Sequence, residues 1–305
     1  MESLAPLIAS AIVAGTPLML ASLGLLINEK SGVINLGSEG MMLVAAIAGF
    51  AITVDTGSSI LGFAAGALAG VLLAAFFAWL TVWLGANQVA TGLALSLFGV
   101  GASAYLGIDY VGETLTGTRH AIPWLRDVPF LGQALFRHHP MVYIALLLCL
   151  ATAWFLGRTR AGLVLRAVGE SPSSAHSLGY DVRRIRLAAL LFGGGCCGLA
   201  GAFLSLVYTP MWVEGMVAGR GWIALALTTF ATWRPLRVML GAFLFGGITI
   251  LTYHMQALGV PIASQWLSML PYLATILVLV LISRNASWIR LNMPASLGKH
   301  FTPNS

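Results

Sequence analysis

The stretch NEKSGVINLGSEGMMLVAAIAGF, Asn28 to Phe50, decides how the chain is read. Its second half is apolar enough to belong to a membrane span, yet Asn35 and Glu39 lie within a turn or two of that run. A buried carboxylate is costly unless it is paired or hydrogen-bonded. Gly32, Gly37 and Gly40 bracket the polar patch, so the backbone is expected to bend or break there. Irregular backbone at membrane depth is tolerated only against protein or a water-filled cavity. The stretch therefore predicts an interrupted second span whose Asn35 and Glu39 face the interior of a bundle at the cytoplasmic end of that span. Two roles stay open for this pair: lining a route through the bundle, or holding neighbouring helices in place.

The remainder of the 305-residue chain agrees. It is 58% hydrophobic and 9% charged, where soluble domains carry about 25% charged residues. Mean hydropathy is +0.89. These values indicate a polytopic protein whose core is packed helices in a lipid bilayer. A net charge of +6 can signal nucleic acid. Here the basic residues fall between apolar segments, so membrane topology accounts for them and no nucleic-acid partner is expected. Cys149, Cys196 and Cys197 sit inside apolar stretches without a C-x-x-C, and read as small packing residues rather than zinc ligands or disulfides. Met1 to Ile27 lacks a basic start and a small-residue cleavage site, so it is expected to be a first span rather than a removed signal peptide.

A span needs about 20 apolar residues. Segments of that kind run from Leu4 to Ile27, Val33 to Val54, Ile60 to Leu84, Val89 to Gly107, Pro140 to Gly157, Leu187 to Thr209, Leu236 to Gln256 and Trp266 to Ser283. Trp222 to Thr232 is apolar but short, and reads either as a half-helix completing a crossing or as a re-entrant piece. The fold class is thus an all-α polytopic integral membrane protein, a bundle of about 8–9 transmembrane helices, forming one domain over 1–305. Polar stretches at 108–139 and 158–186 separate the spans. The first holds Asp109, Glu113, Arg119, Pro123, Arg126, Asp127, Pro129 and Arg137.

Lys and Arg bias sets the orientation. With 158–186 on the cytoplasmic side, twelve basic residues lie inside, and four, Arg119, Arg126, Arg137 and Arg220, lie outside. The N-terminus is then outside and the C-terminus inside, with 108–139 external. Small residues allow close helix contact in lipid. Gly62, Gly66 and Gly70 form one such stripe, and Gly193, Gly194, Gly195, Gly198 and Gly201 a denser one.

The loop RTRAGLVLRAVGESPSSAHSLGYDVRRIR carries its own punctuation. Ser171-Pro172 reads as an N-cap with Pro at the first helical position. Gly179 reads as a left-handed C-cap after a short helix from Pro172 to Leu178. Asp181 can cap the next helix. A separately capped helix off the bilayer suits docking onto a soluble partner, or it is simply an ordered loop. Asn87 and Gln88 open the fourth span as another polar pair; Asn87 can cap that helix, and both are also candidate substrate contacts.

No P-loop, H-E-x-x-H or G-x-S-x-G occurs, so the chain has no signature of an enzyme or of a self-sufficient ATP-driven pump. His138 and His139 read as a solvated loop pair, and His254 as a packed or pore-facing histidine. Transport is the expected activity. The spans hold no deep fixed charge other than Glu39 in this reading, which suits a neutral polar substrate.

Six motifs then occur in order: SGVINLGSEGMML, ANQVATGLALSLF, TRAGLVLRAVGESPSSAHSLGYDV, GLAGAFLSL, GRGWIALALTTFATWRPL and LPYLATILVLVL. Together, over roughly Leu23 to Ser283, they resemble permease subunits of bacterial ABC importers for branched-chain amino acids, ribose and nucleosides, nearest the nucleoside and simple-sugar branch. The resemblance implies translocation of a nucleoside or simple sugar across the bacterial inner membrane by alternating access. It implies a paired permease subunit, often non-identical, an ABC ATPase subunit and an extracytoplasmic substrate-binding lipoprotein. No cofactor is then bound by this chain, and ATP and Mg sit on the ATPase. It also makes 158–186 the segment that couples to the ATPase, with Gly162, Arg166, Ala167, Gly169, Glu170, Pro172, Ala175 and Gly179 matching its pattern. The pathway or structural motif would comprise Asn35, Gly37, Glu39, Gly40, Asn87 and Gln88. His176-Ser177, Tyr180, Ser38 and the ATW before Arg234 depart from the branch's usual residues, which bears on substrate and ATPase pairing. The alternatives are an ion-coupled secondary transporter with Glu39 as its coupling group, the same ABC class with a branched-chain amino acid substrate, or a scaffolding subunit.

Overall fold

Helix α1 (Leu4–Lys30) is the axis around which the molecule packs, with Leu18 to Leu26 almost wholly enclosed by protein. The computed structural model describes residues 4–115, 137–259, 263–283 and 292–301. After α1 come α2 (Ser38–Thr56), α3 (Ser59–Ala78), prolonged by a π-helical turn at Trp79–Trp83, and α4 (Gln88–Leu106). Then follow α5 (Pro140–Arg158), α6 (Arg160–Glu170), α7 (Pro172–Ser177) and α8 (Val182–Phe203), prolonged by a π-helical turn at Leu204–Tyr208. The last three are α9 (Arg220–Phe230), α10 (Pro235–Ala257) and α11 (Ser264–Ser283). Seven helices among the described residues are long and apolar enough to cross a membrane. Arg119, Pro123, Arg126, Asp127, Pro129, Arg284 and Arg290 lie outside the described residues.

Close backbone approaches give the helix directions. Gly24 of α1 meets Cys196 and Gly193 of α8, and Gly193 lies beside Asn28, so α1 and α8 are antiparallel. Gly15 of α1 meets Ala242 of α10, and Gly246 meets Ala11, so α10 also runs against α1. The two predicted glycine stripes meet in one seam at their centres, while Gly193 faces Asn28 of α1 and Gly201 faces Met42 of α2. Gly70 of α3 abuts Gly194 and Gly198 of α8, and Gly66 abuts Gly198 and Ala202. A Cβ at Gly66 would stand 2.7 Å from that of Ala202. Lipid offers no hydrophobic drive for helix association, so this contact is held by backbone proximity and dispersion. Large apolar side chains such as Leu72 and Phe76 of α3, Leu97 and Phe98 of α4, and Leu147 and Trp154 of α5 point outward.

The bundle has two distinct ends. The basal end gathers Lys30, Arg186 and residues 292–301: Arg186 Nη1 donates to the Lys299 carbonyl, and Lys30 Nζ to the Asn292 carbonyl at 2.7 Å. At the opposite, apical end, Trp212 packs against Gly107. The short apolar piece is resolved as α9, which descends from mid-depth to the basal end. Its upper neighbour is Ser22, whose hydroxyl donates to the Ala224 carbonyl. Below it, Trp233 hydrogen-bonds Glu29. From Trp212 at the apical end to Arg234 at the basal end the chain runs the length of the bundle, non-helical as far as Gly219 and helical as α9 below it.

Two boundaries differ from the sequence reading. The second span becomes helical only at Ser38, five residues later than Val33, because Ser31 to Gly37 is non-helical. Within 158–186, Arg160–Glu170 is a helix, and Val182 already starts α8.

Candidate functional site

The break in the second span is built from backbone groups that have lost helical partners and found others. The Ser31 carbonyl accepts from Arg186 Nε at 3.2 Å, and the Gly32 carbonyl accepts from Gly298 N at 3.0 Å. Ile34 N donates to Gln88 Oε1 at 2.9 Å, and the Leu36 carbonyl accepts from Ser96 Oγ at 2.8 Å. Gly37 N donates to Asn35 Oδ1 at 3.0 Å. Such groups cannot be left bare in a low-dielectric interior. The segment threads along α4 from its first residue to its third turn, so it penetrates the bundle instead of lying at its surface. Gly32, at φ 90°, makes the initial turn in a conformation that other residues resist.

Glu39 sits in the first turn of α2 and is 7% exposed. Its Oε1 accepts from Gly219 N at 2.8 Å and its Oε2 from Gly221 N at 2.7 Å. The carboxylate therefore caps the start of α9 from another helix, between two converging helix N-termini. Both termini present positive dipole ends, which suits an anion there. Ser38 Oγ adds a bond to the Gly221 carbonyl. The junction lies at mid-depth: Met42 is level with Gly201 of α8, and Ala46 with Ser205, whose hydroxyl donates to the Ala46 carbonyl.

Asn35 is fully buried, and its Nδ2 approaches Met41 Sδ at 3.6 Å. Gly37 abuts Leu95, and Gly40 packs against the Leu95 carbonyl and Ser96 Cα, where a side chain would intrude. Asn87 Oδ1 caps α4 by accepting from Val89 N and Ala90 N, both at 3.0 Å. Asn35, Gly37, Glu39, Gly40 and Gln88 therefore meet in one assembly, with Asn87 at its basal edge.

Sequence reasoning missed two charges. Glu29 is buried and engaged by the Trp233 indole, so Glu39 is not alone as a buried carboxylate. Trp233 is 204 residues away in sequence, which no local pattern reveals. Arg220, expected in an outer loop, opens α9 at mid-depth. There Nη1 donates to the Met216 and Val217 carbonyls, and the guanidinium lies over Tyr208, 5.3 Å from the ring centre. The bundle thus holds a deep fixed cation, contrary to the sequence reading. A helix that starts half-way down a bundle carries its polar first turn with it.

A second assembly lies at the basal end. Thr159 Oγ1 caps α6 by accepting from Gly162 N at 3.0 Å. Ser171 Oγ caps α7 by accepting from Ser174 N at 3.3 Å, and Asp181 Oδ1 caps α8 by accepting from Arg184 N at 3.1 Å. Gly179 has φ 89°, the left-handed turn expected after α7. The matched residues divide by face. Gly162 lies against Phe155, Gly169 against the Lys30 carbonyl, and Ala175 against Val168 and Val182. Pro172 is half-buried at the first position of α7. Arg166, Ala167 and Glu170 are exposed, as are Ser173, Ser174, His176 and Ser177.

Residues 292–301 strap this assembly to the break. Ser296 N and Oγ both donate to the Gly169 carbonyl, at 3.0 and 2.6 Å. Glu170 Oε2 accepts from Ala295 N, and Phe301 packs edge-on against His176. The same strap supplies Gly298 to Gly32 and Lys299 to Arg186. The two assemblies therefore share one hydrogen-bonded connection. Among the described residues no cluster of His, Cys, Asp and Glu could hold a metal ion.

The family described as branched-chain amino acid transport system, permease component, matches residues 7–281. The chain is 41% identical to a putative glucose ABC transporter permease protein of Haloferax volcanii, over 97% of both chains. It is 31% identical to a nucleoside ABC transporter permease protein of Lactococcus lactis, over 90% of this chain and 91% of the relative. It is 29% identical to a guanosine ABC transporter permease protein of Bacillus subtilis, over 91% and 92%. No solved structure gives a significant match.

Proposed function

The chain belongs to the branched-chain amino acid transport system permease family, and from that premise we propose that it is the membrane-spanning permease of an ATP-driven importer for a sugar or a nucleoside. In this reading it is a single permease domain that works by alternating access. It acts with an ABC ATPase carrying ATP and Mg, a second permease subunit and an extracytoplasmic substrate-binding lipoprotein.

The observation that carries the reading is the strapped pair of assemblies: a mid-depth break capped by Glu39, tied through residues 292–301 to separately capped helices at the basal end. ATP binding would displace α6 and α7, and the strap would pass that displacement to Gly32 and the break. Gly162, Gly169, Pro172, Ala175 and Gly179 would shape the coupling segment, while Arg166, Ala167 and Glu170 would face the ATPase. Asn35, Gly37, Glu39, Gly40, Asn87 and Gln88 would maintain the break. The basal end would be cytoplasmic, since Lys30, Arg158, Arg166, Arg184, Arg186 and Lys299 collect on that side. The N-terminus would then be outside, the C-terminus inside, and nine passages would complete the bundle if α9 and α11 are counted among them. Secondary transport would need an ion-coupling carboxylate. Both oxygens of Glu39 already serve backbone N–H groups, and the other buried carboxylate, Glu29, is engaged by the Trp233 indole, which supports the ATP-driven reading.

Cross-linking tests the docking face and the sidedness together. A Ser173→Cys variant, in membranes that also contain the cognate ATPase, should form a cross-link to that soluble subunit through a short bifunctional reagent. Co-purification of the intact complex with no such cross-link would reject the assignment of α7 as the docking helix.

A further inference from the structure

Above the Glu39 junction, on its apical side, lies a cavity of about 310 Å³ between α1, α9, α10 and α11. Its floor is Ala218 and the first turn of α9, Arg220 to Ile223, and its walls carry Tyr208, Tyr253, Tyr272 and Gln256. Ligand pockets run from about 300 to 1,000 Å³, so this volume suits a small solute.

The lining has two chemical features. One is aromatic: Tyr208, Tyr253 and Tyr272 present ring surface, with Phe245 set edge-on to Tyr272. Such rings accept the apolar C–H face of a sugar while their hydroxyls stay polar. The other is unspent hydrogen-bonding capacity. Gln256 has an amide that donates twice and accepts twice, and Tyr253 has a hydroxyl. Neither makes a side-chain hydrogen bond among the described residues. Thr249 and Thr252, by contrast, spend their hydroxyls on helix carbonyls.

The floor carries one charged side chain. Arg220 lies between Gly219 and Gly221, the two residues whose N–H groups hold the Glu39 carboxylate. The Arg220 side chain lines the cavity, whereas the Glu39 carboxylate, held by the Gly219 and Gly221 N–H groups, lies outside the lining. A guanidinium offers donors to the hydroxyl oxygens of a neutral polyol.

We propose that this apical cavity is a substrate station on the permease itself, binding a neutral sugar ring, either a free hexose or the ribose of a nucleoside, with Tyr253 and Gln256 as its recognition residues. The proposal rests on the importer reading and deepens it. Selection is then shared between the external binding protein and this station. Because the floor is the α9 start that Glu39 holds, occupancy and the mid-depth junction are adjacent.

The test uses the complete complex in proteoliposomes, with labelled glucose and labelled guanosine as separate probes. Solute moved is measured per ATP hydrolysed in the presence of the binding protein. Gln256→Ala and Tyr253→Ala should each lower that ratio at least fivefold for whichever probe the wild type moves, while ATP hydrolysis stays responsive to the binding protein. Leu251→Ala, on the outward face of α10, should leave the ratio unchanged. The identity of the probe moved distinguishes hexose from nucleoside. Ratios within twofold of wild type in both cavity variants would overturn the proposal. If Tyr253→Ala fails to assemble, Tyr253→Phe removes the hydroxyl alone and is judged by the same ratio. If the wild type moves neither probe, the importer reading fails separately. Equilibrium binding of both probes to the purified complex then decides: at least fivefold weaker binding in Gln256→Ala sustains the station, and absent or unaltered binding overturns it.

Discussion

Glu39 does the work of a helix cap across a gap of 180 residues and more. Replacing it by Ala would leave two buried N–H groups at the start of α9 without an acceptor, at a cost of about 1–3 kcal/mol each. Gln keeps one carbonyl oxygen and should lose less. Glu39→Ala is therefore expected to lower the melting temperature of the purified complex more than Glu39→Gln. If the two variants melt together with the wild type, the capping account of Glu39 is wrong. This residue was legible as anomalous in the sequence, since a carboxylate beside an apolar run demands a partner. Its partners were not, because backbone N–H groups of a distant segment leave no mark in composition. Glu29 escaped for a similar reason. Its polar surroundings look like an ordinary span end until Trp233 is seen to close over it.

The elements were legible where a single physical signal dominates. Apolar length located α1, α3, α4, α5 and α10 to within a few residues. Capping chemistry located α7, with its Ser171 cap, its Pro172 and its left-handed Gly179. Helix α6 was hidden because only one side of it is apolar. Leu165 and Val168 are buried there, while Arg166 and Ala167 face outward, and two glycines weaken its helical propensity. The glycines are present for proximity: a Cβ at Gly162 or Gly169 would overlap the Phe155 or Lys30 carbonyl. The strap was invisible, since its cohesion comes from backbone bonds and from Ser296, which alone bridges Gly169 and Arg186. Ser296→Val should loosen it, because the Gly169 carbonyl loses its 2.6 Å partner and a buried site gains no replacement. Limited trypsin digestion of the detergent-solubilised complex should then cleave at Lys299 several-fold faster than in the wild type. Equal cleavage rates would show that Ser296 does not hold the strap.

At the scale of the whole molecule, two half-depth helix starts, α2 and α9, meet on one carboxylate below a small cavity. At the basal end a hydrogen-bonded strap ties Gly32, where the break starts, to α6. Half-helices whose N-termini converge at mid-depth are a recurrent solution for solute sites in membrane bundles, because positive dipole ends and freed backbone become available there. The family match and the identity to sugar and nucleoside permeases extend over nearly the full chain. The sequence reading reached the class, the break and the capped helix α7, and misplaced Arg220, whose depth depends on where α9 begins. The central claim is that solute moves only when ATP is hydrolysed by a partner. The most direct measurement is uptake of labelled glucose and guanosine into proteoliposomes holding the whole complex, with the ATPase intact or carrying a substituted Walker lysine. Accumulation that requires the intact ATPase, and that excess leucine does not compete away, is the predicted result. Accumulation that persists with the inactive ATPase would contradict the account and make this chain a transporter driven by some other gradient.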